Sequence, residues 1–273
     1  MATVKANGIE IYYEVHGAGE PLLLIMGLGA NASNWEMQID DFAREYQVIA
    51  FDNRGAGRSE KPMEPYSIHQ MAEDAAALME ELGIHSAHVF GMSMGGMIAQ
   101  ELALRHGDRV RALVLGATMA GGPGATLPDA AMMQQWLALA QLPPAQAIER
   151  GLTFLYSEEY AAVHRDRLVQ GALARWELMA PPHALQKQVM AVIAFNTHGR
   201  LQDIHHPTLV LHGTNDKIIP FPNSDVLASN IPGARRVAYP GMGHGFLMER
   251  AEDVNREVLD FLRPHRTHFV PAK

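Results

Sequence analysis

The chain has 273 residues, 48% of them hydrophobic, and a formal net charge of −8 with its Lys and Arg scattered rather than clustered. That length suits one α/β domain carrying an insertion, and the charge argues against nucleic acid or an anionic membrane surface as a partner. With no cysteine, disulfides, thiolate nucleophiles and cysteine-based zinc or iron–sulfur sites are excluded.

The N-terminal stretch MATVKANGIEIYYEVHG has no apolar segment of signal-peptide type, and the longest apolar run, LLLIM, is far short of a membrane span. We therefore expect a cytoplasmic protein. Ile9, Ile11, Tyr13 and Val15 alternate with Glu10, Tyr12 and Glu14, a period of two that predicts a half-solvated strand. Residues 17–19 turn the chain back, and 21–26 form the continuous apolar run of a strand buried on both faces. A helix is predicted over 35–46, with Trp35, Ile39, Phe42 and Tyr46 on one side. A buried strand follows at 47–51, then a helix at 68–82 stopped by Gly83. Residues 88–90 read as a strand, 94–106 as a helix stopped by Gly107, and 111–115 as another strand.

After Thr118 this alternation breaks. AGGPGATLP has the composition of a hinge, and 129–195 carry only helical periodicity. Alternation resumes after HHP, with strands at 208–211 and 236–239 and helices at 224–230 and 251–262. The tail RPHRTHFVPAK lacks an amphipathic pattern and is expected to be disordered. Strands alternating with helices predict an α/β fold: a mostly parallel twisted sheet with helices on both faces and an all-helical lid inserted after the sixth strand. We expect a core at 1–118 and 204–263, a helical cap at 119–203 and a C-terminal tail at 264–273. In such sheets ligands bind at the carboxyl ends of the strands, so the chemistry should lie just after strands.

The stretch GMSMGG, residues 91–96, lies there, between a strand and a helix. Gly91-Met92-Ser93-Met94-Gly95 is G-x-S-x-G, whose glycines leave room for neighbouring backbone at a sharp turn that lifts the hydroxyl above the sheet. The same turn puts the Met94 amide at a helix N-terminus, a position that favours an anion. A serine hydroxyl needs a base held by a third group. Two other strand ends supply candidates: Asp216 in His212-Gly213-Thr214-Asn215-Asp216, and His244 in Gly241-Met242-Gly243-His244-Gly245, where the flanking glycines leave the imidazole free to reach across the sheet.

The order Ser93, Asp216, His244, with IMGLGANASNW, FDNRGAGRS, GMSMGGMIAQELALRHGDRV, LVLHGTNDKIIP and GMGHGFLMERAEDV, resembles the α/β-hydrolase superfamily over roughly residues 8–263. Within it the chain is similar to small bacterial carboxylesterases and 3-oxoadipate enol-lactonase-like serine hydrolases. The resemblance implies Ser93 as nucleophile, His244 as general base and then acid, and Asp216 as the carboxylate orienting it. It also implies an oxyanion hole from the backbone N–H groups of Leu28 and Met94. We expect no cofactor and no metal. Met26-Gly27 stands where the family commonly has His-Gly. Serine at 93, rather than aspartate, points to acyl transfer, so the expected substrate is a small-molecule ester or lactone.

Other readings compete. Ser93 alone could be a helix N-cap, Asp216 could close its own turn, and His244 could be a surface residue. Asp52 and Arg54 are read as builders of their turn rather than as chemistry. Trp136, Trp176, Met132, Met133, Met179 and Phe195 could line an apolar acyl pocket or simply pack helices. His205, His206 and His212 show no metal-ligand spacing and are read as ordinary histidines. Gly27-Leu28-Gly29-Ala30-Asn31-Ala32 is G-x-G-x-x-A after a strand, with Asp52 ending the next strand, which is a dinucleotide-binding pattern. A ligand-binding, receptor-like hydrolase fold with little turnover, and a C–C bond hydrolase or other acyl-transfer enzyme on the same three residues, remain open.

Overall fold

The computed structural model describes residues 2–266. Eight strands form one sheet: β1 (Ala2–Ala6), β2 (Ile9–His16), β3 (Glu20–Ile25), β4 (Tyr46–Phe51), β5 (Ala87–Met92), β6 (Val110–Gly116), β7 (Thr208–Gly213) and β8 (Arg235–Tyr239). Their order is β1-β2-β4-β3-β5-β6-β7-β8. The β1–β2 and β2–β4 pairs are antiparallel and all other pairs are parallel.

The apolar runs are buried because both faces are covered. Leu23, Ile25, Val89 and Leu113 point to one side, against α2 (Ile68–Glu81) and α3 (Met94–Arg105). Leu22, Leu24, Phe90 and Val114 point to the other, against Trp35, α1 (Ile39–Phe42) and, beyond them, α10 (Ala251–Leu262). Successive side chains of a strand alternate between faces, so each run feeds two cores at once. Between β6 and β7 the chain forms α4 (Ala130–Ala138), α5 (Pro144–Leu155), α6 (Glu158–Ala174) and α7 (Pro182–Ile193), and α8 (Pro222–Asn230) and α9 (Phe246–Glu249) follow later. The helical block thus follows the sixth strand. Among the described residues, no helix is long and apolar enough to cross a membrane.

Three elements differ from expectation. First, residues 2–6 form an edge strand, and Asn7-Gly8, at φ 45° and 83°, closes a two-residue hairpin onto β2. Such a pair is a strong hairpin signal, which a reading by alternation alone passes over. Second, the helix predicted over 35–46 is broken into a 3-10 turn at Ala32–Trp35 and the single-turn α1, and Tyr46 opens β4. Trp35, Phe42 and Tyr46 are still fully buried. Separate turns satisfy the same periodicity because the Asp52 carboxylate takes the Ala32 N–H at 2.7 Å and Asn31 takes the Ser33 N–H at 3.1 Å. Third, the tail begins in order: Arg263–His265 form a 3-10 turn and Arg266 donates to Tyr46 Oη at 3.0 Å and Glu45 Oε2 at 2.6 Å. The rest of the expected disordered tail, 267–273, lies outside the described residues.

At the opposite end of the sheet from Ser93, His88 is fully buried beside Glu20, with Nε2 3.5 Å from its carboxylate and Arg111 3.1 Å from the other oxygen. Burial pushes the imidazole down to about 4, more than Glu20 can offset. The unfolded chain, with histidine near 6.5, therefore binds the extra proton over this range. We expect unfolding free energy to fall as pH drops from about 6.5 to 4, and His88→Phe to flatten that slope in denaturant titrations; an unchanged slope would remove His88 as its source.

Candidate active site

Ser93 sits at the corner between β5 and α3 with φ 57° and ψ −121°. A non-glycine residue with positive φ costs on the order of 1–3 kcal/mol and must be held by its surroundings. Here Ser93 N–H donates to Gly116 O at 2.8 Å, and its carbonyl accepts from Gly96 N at 2.9 Å and Thr118 Oγ1 at 2.8 Å. The flanking glycines are steric necessities: a Cβ on Gly91 would collide with the Gly95 carbonyl, and one on Gly95 with the carbonyl of Ile25 in β3. Although Ser93 occupies the N-cap position of α3, its side chain makes no capping hydrogen bond. The plain N-cap reading therefore fails, and the hydroxyl is left for other use.

Asp216 and His244 come together as the chain order suggested. The Asp216 side chain is fully buried, and His244 Nδ1 lies 2.7 Å from its Oδ2. A carboxylate can only accept, so Nδ1 carries the proton and Nε2 is the free basic nitrogen. Asp216 Oδ1 meanwhile accepts the N–H groups of Ile218 at 2.8 Å and Ile219 at 2.9 Å. It thus closes its own turn and also holds the imidazole. Burial by itself would raise this carboxyl, but His244 and His212 outweigh it and hold it well below the usual carboxylate range. Among the described residues no hydrogen bond joins Ser93 Oγ to His244; such contacts are commonly loose without substrate and tighten in the complex.

His212 is a residue that sequence reasoning set aside. It is the penultimate residue of β7, is fully buried, and its Nε2 lies 2.8 Å from Ile219 O and 3.2 Å from Asp216 Oδ2. Both neighbours are acceptors, so Nε2–H donates between them and braces the carboxylate. The signal available was its spacing, four residues before Asp216 at a strand end.

The glycines beside His244 do not free it to reach; they admit the inserted helices. A Cβ on Gly243 would meet the backbone at Leu155 and Tyr156, and one on Gly245 would strike the Tyr156 ring. Gly245 N–H donates to Leu155 O at 2.6 Å. Glu249 bridges the two parts, taking Gly243 N–H at 2.9 Å and Ser157 N–H at 3.0 Å.

The loop after β3 lies against Ser93: a Cβ on Gly27 would stand 3.0 Å from Ser93 Cβ and 3.4 Å from its Oγ. Gly29 N–H is taken by Gln188 Oε1 at 2.8 Å and Ala30 N–H by Gly27 O at 3.3 Å. Among the described residues no protein acceptor takes the amide of Leu28 or Met94. Asn53 Nδ2 supports this loop by donating to Met26 O at 2.8 Å. Asp52 binds the amides of Ala32 and Arg58, both at 2.7 Å, and Arg54 forms a buried ion pair with Asp74, so both serve the turn. The dinucleotide pattern at 27–32 is overturned. It leads into a four-residue 3-10 turn rather than a long helix, Leu185 and Met179 stand over Gly29, and the Asp52 carboxylate is occupied by backbone.

A sheet in this order, a strained serine corner after its central strand, and a buried acid–histidine pair after its last strands define a hydrolase of the α/β class. The chain belongs to the alpha/beta hydrolase fold family, whose model matches residues 20–251. It is 33% identical over 261 residues, covering 96% of this chain and 98% of the relative, to "Putative carbamate hydrolase RutD" of Azorhizobium caulinodans. Among solved structures, a thermophilic esterase from Thermogutta terrifontis superposes with a TM-score of 0.84 at 27% identity, covering 98% of this chain and 100% of that one. The enol-lactonase from Burkholderia xenovorans LB400 gives 0.82 at 28% identity, covering 96% and 99%.

Proposed function

We propose that this hydrolase cleaves carboxylic esters or lactones through an acyl-enzyme on Ser93. The observation that carries the reading is the Ser93 corner: a positive-φ serine whose hydroxyl does not cap its helix and which abuts the loop bearing Leu28. Ser93 Oγ attacks the carbonyl carbon while His244 Nε2 takes its proton, and Asp216 stabilises the imidazolium through Nδ1. The developing oxyanion is received by the Leu28 and Met94 amides, each such donor being worth about 10²–10³ in rate. The imidazolium then protonates the departing alkoxide oxygen. Water, deprotonated by the same nitrogen, cleaves the acyl-enzyme and returns the serine. Esterase and enol-lactonase neighbours of nearly equal length support this choice of substrate.

The helices of residues 119–203 act in this reading as a cap over the carboxyl ends of the strands. Their aromatic and methionine side chains divide between packing and exposure. Trp136 stacks edge-on against Phe154 at 5.7 Å and Phe195 is buried, whereas Trp176 and Met179 are 39% and 42% exposed. A carbamate ester is the second substrate reading, favoured by the relative of that name. It presents the same carbonyl to the same serine and leaves a slower-hydrolysing carbamoyl-enzyme.

A fluorophosphonate should label one residue, Ser93, as read by peptide mass mapping. Labelling elsewhere, or none, would dispose of the activated hydroxyl. Comparing p-nitrophenyl acetate, p-nitrophenyl butyrate, a six-membered lactone and a p-nitrophenyl carbamate separates the two substrate readings, and slow turnover of all four would favour a ligand-binding role.

A further inference from the structure

We propose that Gln188, on α7 of the inserted helices, is a positioning residue that aims the Leu28 amide at the oxyanion. Its kinetic consequence rests on the serine-hydrolase reading above; the contact itself does not. Gln188 is fully buried, and both ends of its amide are used across the boundary between insertion and core. Oε1 accepts the Gly29 N–H at 2.8 Å, and Nε2 donates to Arg54 O at 2.9 Å. The Gly29 carbonyl accepts from Ala180 N at 3.1 Å, so both peptide groups of Gly29 are fastened by the insertion.

Geometry gives this fastening its consequence. Gly27 is held against Ser93 and Gly29 is held by Gln188, which leaves Leu28 alone between two fixed points. Fixing the Gly29 N–H fixes the plane of the Leu28–Gly29 peptide, and with it the torsions that aim the preceding amide. Gly29 sits at φ 70°, a conformation open to rearrangement if released. The loop has few other donors to hold it: the Met26 side chain has none, and Asn53 secures only the Met26 carbonyl.

The far end of the clamp is rigid. Arg54, whose carbonyl Gln188 holds, is fixed through its buried ion pair with Asp74. Its neighbour in space, Tyr66, donates to Ala184 O on α7 at 3.2 Å. Gln188 therefore connects a braced turn to the oxyanion loop through one side chain. Only a carboxamide fits both contacts: glutamate would set an acceptor against the Arg54 carbonyl, and methionine would satisfy neither group.

The test compares wild type, Gln188→Met and Gln188→Glu on p-nitrophenyl acetate, with hydrogen–deuterium exchange resolved at Gly29. In wild type the Gly29 amide should be protected; fast exchange there would overturn the clamp without any variant. Gln188→Met should release that protection and lower kcat by about 10- to 100-fold, with KM within about threefold of wild type. Gln188→Glu keeps the acceptor for Gly29 and should retain more of kcat than Gln188→Met. A residue that merely fills space would lower the thermal midpoint and leave kcat and Gly29 exchange unchanged, and that result would overturn the proposal. If wild type resists fluorophosphonate and hydrolyses nothing, the serine-hydrolase reading falls, while Gly29 exchange still decides the clamp.

Discussion

Ser93→Ala is expected to lower ester hydrolysis by roughly 10⁴- to 10⁶-fold while leaving the fold intact. In the proposed acyl-enzyme mechanism the chemical loss is large because the hydroxyl oxygen is the atom acylated, and water attacking directly lacks that step. The structural loss is small for a reason visible at the corner. The Ser93 side chain makes no capping bond to α3, so its removal unsatisfies nothing in the helix. Alanine also has a Cβ, so the strain at φ 57° is the same in both proteins. Thermal unfolding should shift by no more than a few degrees, and the fluorophosphonate should fail to label the variant. A variant hydrolysing at near the wild-type rate would end the nucleophile assignment.

Asp216→Asn should cost about 10⁴-fold in kcat. Asparagine can still accept the Ile218 and Ile219 N–H groups through its oxygen, which keeps the local turn. Its NH₂ then faces His244 Nδ1 as a donor. That forces the proton onto Nε2, the nitrogen that takes the serine proton in the proposed mechanism, so the base would be presented in the wrong tautomer. The substitution also alters acid stability. Because the folded carboxyl lies below its unfolded value, its contribution to stability is complete above the ordinary carboxylate range and is lost as pH falls below about 4. Denaturant titrations of the variant should lose that part of the acid slope. A kcat within tenfold of wild type would show that Asp216 does not set the tautomer.

His212 and Gln188 make one physical point. Asp216, His244 and Leu28 are presented by loops, and each of those loops is tied down by groups outside it. Asp216 is braced by His212 from β7, the His244 loop by Leu155 and Glu249, and the Leu28 loop by Gln188 and Asn53. The inserted helices supply two of these ties. They are therefore tied into the loops of the candidate site, and substitutions at their buried polar contacts should be felt at the chemistry.

Local rules made much of this legible in the sequence. Continuous apolar runs marked strands covered on both faces, G-x-S-x-G marked a corner that only glycines permit, and the loops after β7 and β8 marked where an acid and a histidine would stand. Each of these is a short-range demand of backbone sterics or burial, written in adjacent residues. The broken helix at 35–46 shows the limit of periodicity, since Asp52 and Asn31 pin a 3-10 turn where the pattern alone favours a continuous helix. The glycines around His244 show the same limit, because their purpose is set by Leu155 and Tyr156, nearly ninety positions earlier in the chain.

The sequence by itself determined most of the alternation of strands and helices, singled out Ser93, Asp216 and His244 as the candidate serine, acid and histidine, and excluded cysteine chemistry. The tertiary structure alone decided that Ser93 leaves its helix uncapped, that His212 shares the Asp216 carboxylate, and that Gln188 holds Gly29. The reason is range: backbone preference and burial pattern are properties of neighbours in the chain, whereas a hydrogen bond between residues 29 and 188 exists only once the sheet has brought them within 2.8 Å.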